Sequence, residues 1–127
     1  MAYDRASPHL PRPAAIDNYG NGGFRFAGMS HRGSILCLPD GVWAVAVEAP
    51  DAIGDEELAL IIDAVPAVEH LLIGTGCDPW LLPAAMRAHL RAHGIVAETM
   101  STGAAVRTYN QLLAEGRRVG ALLIAVA

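Results

Sequence analysis

The sequence predicts an α/β fold: a three-layer domain around a mixed sheet, with an N-terminal antiparallel hairpin followed by β-α-β-α-β. Three observations carry this. Residues 16–48 are rich in β-formers broken by glycine, with the runs FRF, SILCL and VWAVAV. After Pro50 the apolar residues take up helical spacing, alternating with short continuous apolar runs. Strands separated by helices in this way need crossover connections, right-handed where the strands are parallel, while the hairpin adds antiparallel strands.

The elements follow in order. Residues 1–15, MAYDRASPHLPRPAA, are rich in Pro and Arg without amphipathic spacing and predict a flexible N-terminal tail, leaving 16–127 as a single α/β domain. Pro39-Asp40-Gly41 predicts a turn in which Pro presets φ and Gly supplies a positive φ, closing a hairpin at Asp40-Gly41. Asp55 can cap a helix with Glu56 and Glu57 in its first turn, where the positive end of the helix dipole favours acids. Leu58, Ile61, Ile62 and Val65 then form one apolar stripe, and Pro66 stops the helix. His70–Ile73 is a short apolar strand running into Gly74-Thr75-Gly76. Pro83 opens a helix that runs through His93 and ends at Gly94. Ile95–Met100 is the next strand, Ser101 or Thr102 caps a helix running to about Gly116, and Val119–Val126 is the last strand.

Composition narrows the function classes. A chain of 127 residues, 53% hydrophobic and only 17% charged, has ample material for one core. All nine basic residues are arginine, the net charge is -4, and the longest basic run is Arg117-Arg118. A nucleic-acid surface is therefore not expected. The longest apolar run, Ala121–Ala127, is far short of the roughly 20 residues that span a bilayer, so no transmembrane segment is predicted. The N-terminus lacks the apolar core of a secretory signal, and Cys37 and Cys77 form no CxxC pair; a reduced, cytoplasmic location is the expectation.

In an open α/β sheet, ligands bind outside the carboxyl ends of the strands. Two such ends stand out, Gly74-Thr75-Gly76 and Ser101-Thr102-Gly103. If their strands are parallel neighbours, small residues there let backbone N–H groups reach a ligand at a helix N-terminus. Arg107 would add a cation and Asn110 would orient the ligand, so an anion is the class suggested. Against this stands the structural role of the same residues, glycines making turns and Ser or Thr capping a helix.

The cluster Arg107-Thr108-Tyr109-Asn110 invites a chemical reading, but successive helical residues turn by about 100° and cannot share a face. Tyr109 falls in the centre of the apolar stripe with Ala105, Val106, Leu112 and Leu113, and Arg107 points almost opposite. Asn110 sits at a border, where pinning a neighbouring backbone is its simplest role. Gly74-x-Gly76 fails as a dinucleotide fingerprint because Pro79 stands where the third glycine belongs. His89 and His93 have the spacing of two metal ligands but no evident third. Cys77 has no obvious His partner, so neither a catalytic residue, a metal nor a cofactor is implied.

LLIGTG (Leu71–Gly76), Leu82-Pro83 and TGAAVRTYNQLLAEGRRVGALL (Thr102–Leu123) resemble a small single-domain family of unassigned biochemistry. Its eukaryotic members are mitochondrial respiratory complex I assembly factors of the assembly factor 3 type. Ile16, Tyr19-Gly20, Gly23-Phe24-Arg25 and His31-Arg32-Gly33-Ser34 extend the resemblance toward the N-terminus. Val106 departs from it, since relatives often have Cys there, which argues against an essential thiol at that position. The arginine-for-lysine bias suggests a bacterial member. The resemblance implies a three-layer domain around a mixed sheet, protein partners, and no established enzymatic activity. It also implies a link to membrane-protein biogenesis, through an association with protein-translocation genes. A non-catalytic binding or assembly factor is thus the leading expectation. The alternative is a small enzyme or ligand-binding protein holding an anion between the Gly74–Gly76 and Ser101–Arg107 loops.

Overall fold

The computed structural model describes residues 3–127. Its first elements form an antiparallel meander of β1 (Ile16–Gly20), β2 (Gly23–Phe26) and β3 (Met29–Arg32). Both turns of the meander are two-residue loops with positive φ at each position, Asn21 (53°) and Gly22 (79°), then Ala27 (50°) and Gly28 (74°). This is the mirror-image turn whose twist matches that of paired strands.

β4 (Ile35–Leu38) and β5 (Gly41–Ala44) form the expected hairpin, with Leu38 opposite Gly41 and Pro39-Asp40 as the loop. Gly41 is not among the positive-φ residues. Its lack of a side chain serves close packing instead, because a Cβ there would lie 2.7 Å from the carbonyl oxygen of Leu10.

The second half alternates as predicted: α1 (Asp55–Ile62), β6 (His70–Gly74), α2 (Ala84–Ala92), β7 (Val96–Met100), α3 (Thr102–Ala114) and β8 (Val119–Leu123). Gly54, not Asp55, caps α1, and the Glu57 carboxylate accepts the Gly54 N–H at 2.7 Å. Val65 falls beyond the end of α1 and is 75% exposed, so the buried stripe is Leu58, Leu60 and Ile61. Ser101 caps α3 by accepting the Ala104 N–H.

The five remaining strands make one mixed sheet in the order β5-β4-β8-β6-β7, parallel across β8-β6-β7 and antiparallel across β5-β4-β8. The β6-to-β7 and β7-to-β8 connections run in opposite directions along the sheet. Right-handed crossovers then place α2 and α3 on opposite faces. Two cores result. Leu71, Ile73, Leu122 and Leu36 face α1 and α2, while Leu72, Leu123, Ala121 and Cys37 face α3 and the meander. That alternation along β4, β6 and β8 is the period of a strand buried on both sides. The layers are therefore α1 and α2, the five-stranded sheet, and α3 with the meander.

Of the segment expected as a flexible tail, residues 1–2 lie outside the described residues, Tyr3, Arg5 and Leu10 lie against β5 and its flanks, and Ala14 is bonded by Tyr109. Leu10 exchanges two backbone hydrogen bonds with Val42, at 3.1 and 2.8 Å. The Tyr3 hydroxyl accepts the Ala46 N–H at 3.0 Å, and Arg5 donates to Asp40 at 2.5 Å while its guanidinium lies 5.3 Å from the Trp43 ring centroid. The edge of β5 is thereby covered against stray pairing.

Candidate functional site

β6 and β7 are parallel neighbours in register, with Gly74 opposite Met100, so their carboxyl ends lie side by side. The loops leaving them border a cleft of about 280 Å³ whose walls include Thr75, Cys77, Trp80, Met100 and Ser101. Thr75 Oγ1 donates to the Asp78 carbonyl at 2.8 Å and folds the loop back on itself, and Gly76 takes a φ of 90°. Cys77, Asp78 and Pro79 are exposed at the rim and Trp80 is half-buried. This loop also borders a second groove, shared with Glu48 to Asp51 and the C-terminal residues.

The sequence-derived site residues divide into three groups. Gly74, Thr75, Gly76, Ser101 and Thr102 come together, while Gly103 faces the Tyr19 ring. The Thr75 N–H donates to the Met100 carbonyl (2.8 Å), the Gly76 N–H to Thr102 Oγ1 (2.9 Å) and the Thr102 N–H to the Gly76 carbonyl (3.0 Å). Thr102 is fully buried, and its hydroxyl donates to the Ile124 carbonyl at 2.7 Å, which ties the end of β8 into the same knot. Gly74 lets α3 come close, since a Cβ on it would stand 3.0 Å from Thr102 Cα.

Arg107 does not border the cleft. It is exposed on the outer side of α3, beside Gly103 and the Tyr19 ring, where a Cβ on Gly103 would lie 3.6 Å from Arg107 Nη1 and 2.3 Å from the Tyr19 hydroxyl. Asn110 does not border it either. Its Oδ1 accepts the Ile16 N–H and its Nδ2 donates to the Ile16 carbonyl, both at 2.8 Å, clasping β1 to α3.

Tyr109 lies fully buried between these neighbours, and its hydroxyl donates to the Ala14 carbonyl at 3.3 Å. Burial, with Cys37 alongside, pushes the Tyr109 phenol well above the usual range. Burial likewise pushes the Cys37 thiol up to about 12. Neither group is placed for chemistry at a surface. His89 and His93 meet edge-to-face, their ring centroids 5.2 Å apart, at the exposed C-terminal end of α2, and no cluster of three or more metal-ligating side chains occurs among the described residues.

Trp80 and Thr99 also line the cleft but belong to no motif in the sequence. An aromatic residue in a loop punctuated by Pro79 and Pro83, directly after a strand end, was the available signal.

A family model described as "Protein of unknown function (DUF498/DUF598)" matches residues 16–124. The chain belongs to this family. Among its relatives, an uncharacterized protein of Rhodobacter capsulatus is 44% identical over 109 residues, covering 86% of this chain and 82% of that protein. The mouse NADH dehydrogenase [ubiquinone] 1 alpha subcomplex assembly factor 3 is 32% identical over 115 residues. That alignment covers 91% of this chain but only 62% of the mouse protein, so the chain spans about three-fifths of the assembly factor's length. A crystal structure described as an outer membrane protein from Bartonella henselae superposes with a TM-score of 0.88 at 50% identity, covering 94% of this chain and 100% of that one. Among the described residues of this chain, no helix is long and apolar enough to cross a membrane.

Proposed function

We propose that this chain is a non-catalytic binding or assembly factor, acting in the cytoplasm through protein partners in the biogenesis of membrane protein complexes. The observation that carries the proposal is its similarity, over 91% of its length, to proteins named complex I assembly factor 3. The geometry is compatible with it: the residues that invite a chemical reading are occupied in packing, with Thr102, Tyr109 and Asn110 all bonded to backbone groups. Deleting the gene in its host tests the proposal. Native gels of the membranes are expected to show subcomplexes accumulating at the expense of a mature complex, restored by the wild-type chain. Unchanged complexes in the deletion strain would count against it.

A second reading is favoured by the cleft beside the β6 and β7 ends: a small ligand-binding protein holding an anion there, with Thr75 and Ser101 of the two loops contributing and Arg107 standing outside it. Thermal-shift screening against phosphates, nucleotides and carboxylates tests it. The reading has no support if no anion stabilises the wild type more than a Ser101→Ala variant.

A further inference from the structure

The outer face of the β1-β2-β3 meander is hollow, and the ladder decides which side chains stand on it. Phe24 and Phe26 are buried, so Arg25 between them projects to the opposite side. Arg25 is paired with Asn18 on one side and Ser30 on the other, and Gly23 with Gly20 and Arg32. Residues opposed across a ladder share a face. Asn18, Arg25 and Ser30 thus form one row, and Gly20, Gly23 and Arg32 the next. Together they border a hollow of about 380 Å³, within the size range of small-molecule sites.

Three features of this hollow point to an oxyanion. Arg25 and Arg32 are diagonal neighbours on one face, a relation that sets their Cα atoms roughly 7–8 Å apart, within reach of one small ligand for side chains of this length. Both are exposed, and neither makes an ion pair among the described residues, although Asp and Glu outnumber Arg by 13 to 9 in the whole chain. Glu48 borders the adjoining groove with Arg32 without pairing to it. Second, the neutral groups beside them are donors. Asn18 Oδ1 is taken by the Tyr19 N–H at 2.9 Å, which leaves its NH₂ to donate, and the Ser30 hydroxyl stands opposite Arg25. Third, Gly20 and Gly23 carry no side chain over their row, so the floor beside Arg32 is bare backbone.

We propose that this face binds a phosphate-bearing small molecule, clasped between Arg25 and Arg32. Guanidinium forks match phosphate oxygens. Two forks together with the Asn18 and Ser30 donors exceed what the two oxygens of a carboxylate can accept, whereas a phosphate or diphosphate satisfies them. The proposal is independent of the assembly-factor reading and of the cleft at the β6 and β7 ends.

Titration of the full chain with inorganic pyrophosphate, followed by amide NMR, tests it, with acetate as the carboxylate probe. Saturable shifts at Gly23 and Ser30 are expected, with binding roughly tenfold weaker in Arg25→Gln and in Arg32→Gln and unchanged in Arg107→Gln. The same spectra report whether each variant is folded, and Ser30→Ala supplies a second, milder perturbation expected to weaken binding. Non-saturable shifts, shifts centred elsewhere, unchanged affinity in both arginine variants, or acetate binding as tightly as pyrophosphate would each overturn the proposal.

Discussion

The side chain of Asn110 reads the backbone of Ile16 as a neighbouring strand would, accepting its N–H and donating to its carbonyl, both at 2.8 Å. Through this residue α3 holds the edge of the meander within the third layer, beside the packing of Phe24 and Phe26 and the Gly22 N–H bond to the Val126 carbonyl. Replacing Asn110 by Ala leaves both Ile16 groups without their partner, at an expected cost of about 2 kcal/mol. Urea denaturation measures it. A loss no larger than that of an exposed substitution such as Gln111→Ala would show that the clasp is dispensable.

Thr102 is the corresponding knot at the other end of α3. Its hydroxyl serves the Gly76 N–H and the Ile124 carbonyl at once, in a fully buried setting. Thr102→Val keeps the shape and removes both bonds, so a destabilisation of about 1–3 kcal/mol is expected. Thr102→Ser keeps the hydroxyl and should fall well below that. Equal losses in the two variants would shift the account from hydrogen bonding to packing.

Gly74 tests the close approach of α3 to β6. A Cβ there meets Thr102 Cα at 3.0 Å, Ala105 Cβ at 3.2 Å and Leu123 Cδ2 at 3.2 Å, with backbone on one side and core on the other. Gly74→Ala is expected to cost about 1–3 kcal/mol by overpacking. Gly116→Ala, which meets no neighbour but has a φ of 76°, separates backbone strain from crowding. A neutral Gly74→Ala would contradict the tight contact.

Much of this was legible in the sequence, and the misses have physical causes. α3 showed itself through Ala105, Val106 and Tyr109 on one side and Arg107 on the other, because a packed amphipathic helix writes its period into the chain. β4, β6 and β8 showed themselves as continuous apolar runs because both their faces are buried. β1 (IDNYG) and β3 (MSHR) did not, since most of their residues are exposed or half-buried and only Ile16 of the two strands is buried. Asn21-Gly22, a hairpin dipeptide between β1 and β2, was the missed signal. Residues 3–15 read as a tail because Pro-rich segments have no period. Their attachment rests on scattered long-range contacts, such as Leu10 to Val42, that no local pattern encodes. At the candidate site, the meeting of the two glycine-bearing loops followed from topology. The helical period already placed Arg107 opposite the buried stripe and Asn110 at a border where it pins a neighbouring backbone, as it does at Ile16, and the reading of both as ligand-binding residues ran against that period.

The two cysteines differ enough for chemistry to tell them apart. Cys37 is fully buried with its thiol pushed up to about 12, whereas Cys77 is exposed at the rim of the cleft. The thiolate is the reactive form, so a disulfide reagent at pH 8 should titrate one thiol in the native protein and both in guanidinium. Rapid native reaction of both would contradict the burial of the β4 core.

His31 links the meander to the N-terminal segment, its ring 4.9 Å from that of His9. Burial, and secondarily the charge of His9, lowers its pKa below the usual histidine value. Below the unfolded value of about 6.5, the unfolded chain takes up a proton at this residue more readily than the folded one. Stability should therefore be complete above that pH and decline as pH falls from about 6.5 toward the folded-state pKa. His31→Gln is expected to flatten this part of the pH dependence. Identical pH slopes for wild type and variant would remove His31 as the cause.

Affinity purification from the native host, after mild solubilisation of the membranes, tests most directly whether the chain works by binding other proteins. Membrane-complex subunits or their assembly partners are expected to be recovered, in amounts that survive competition by untagged protein. Recovery of this chain alone, repeatedly and under those conditions, would contradict it.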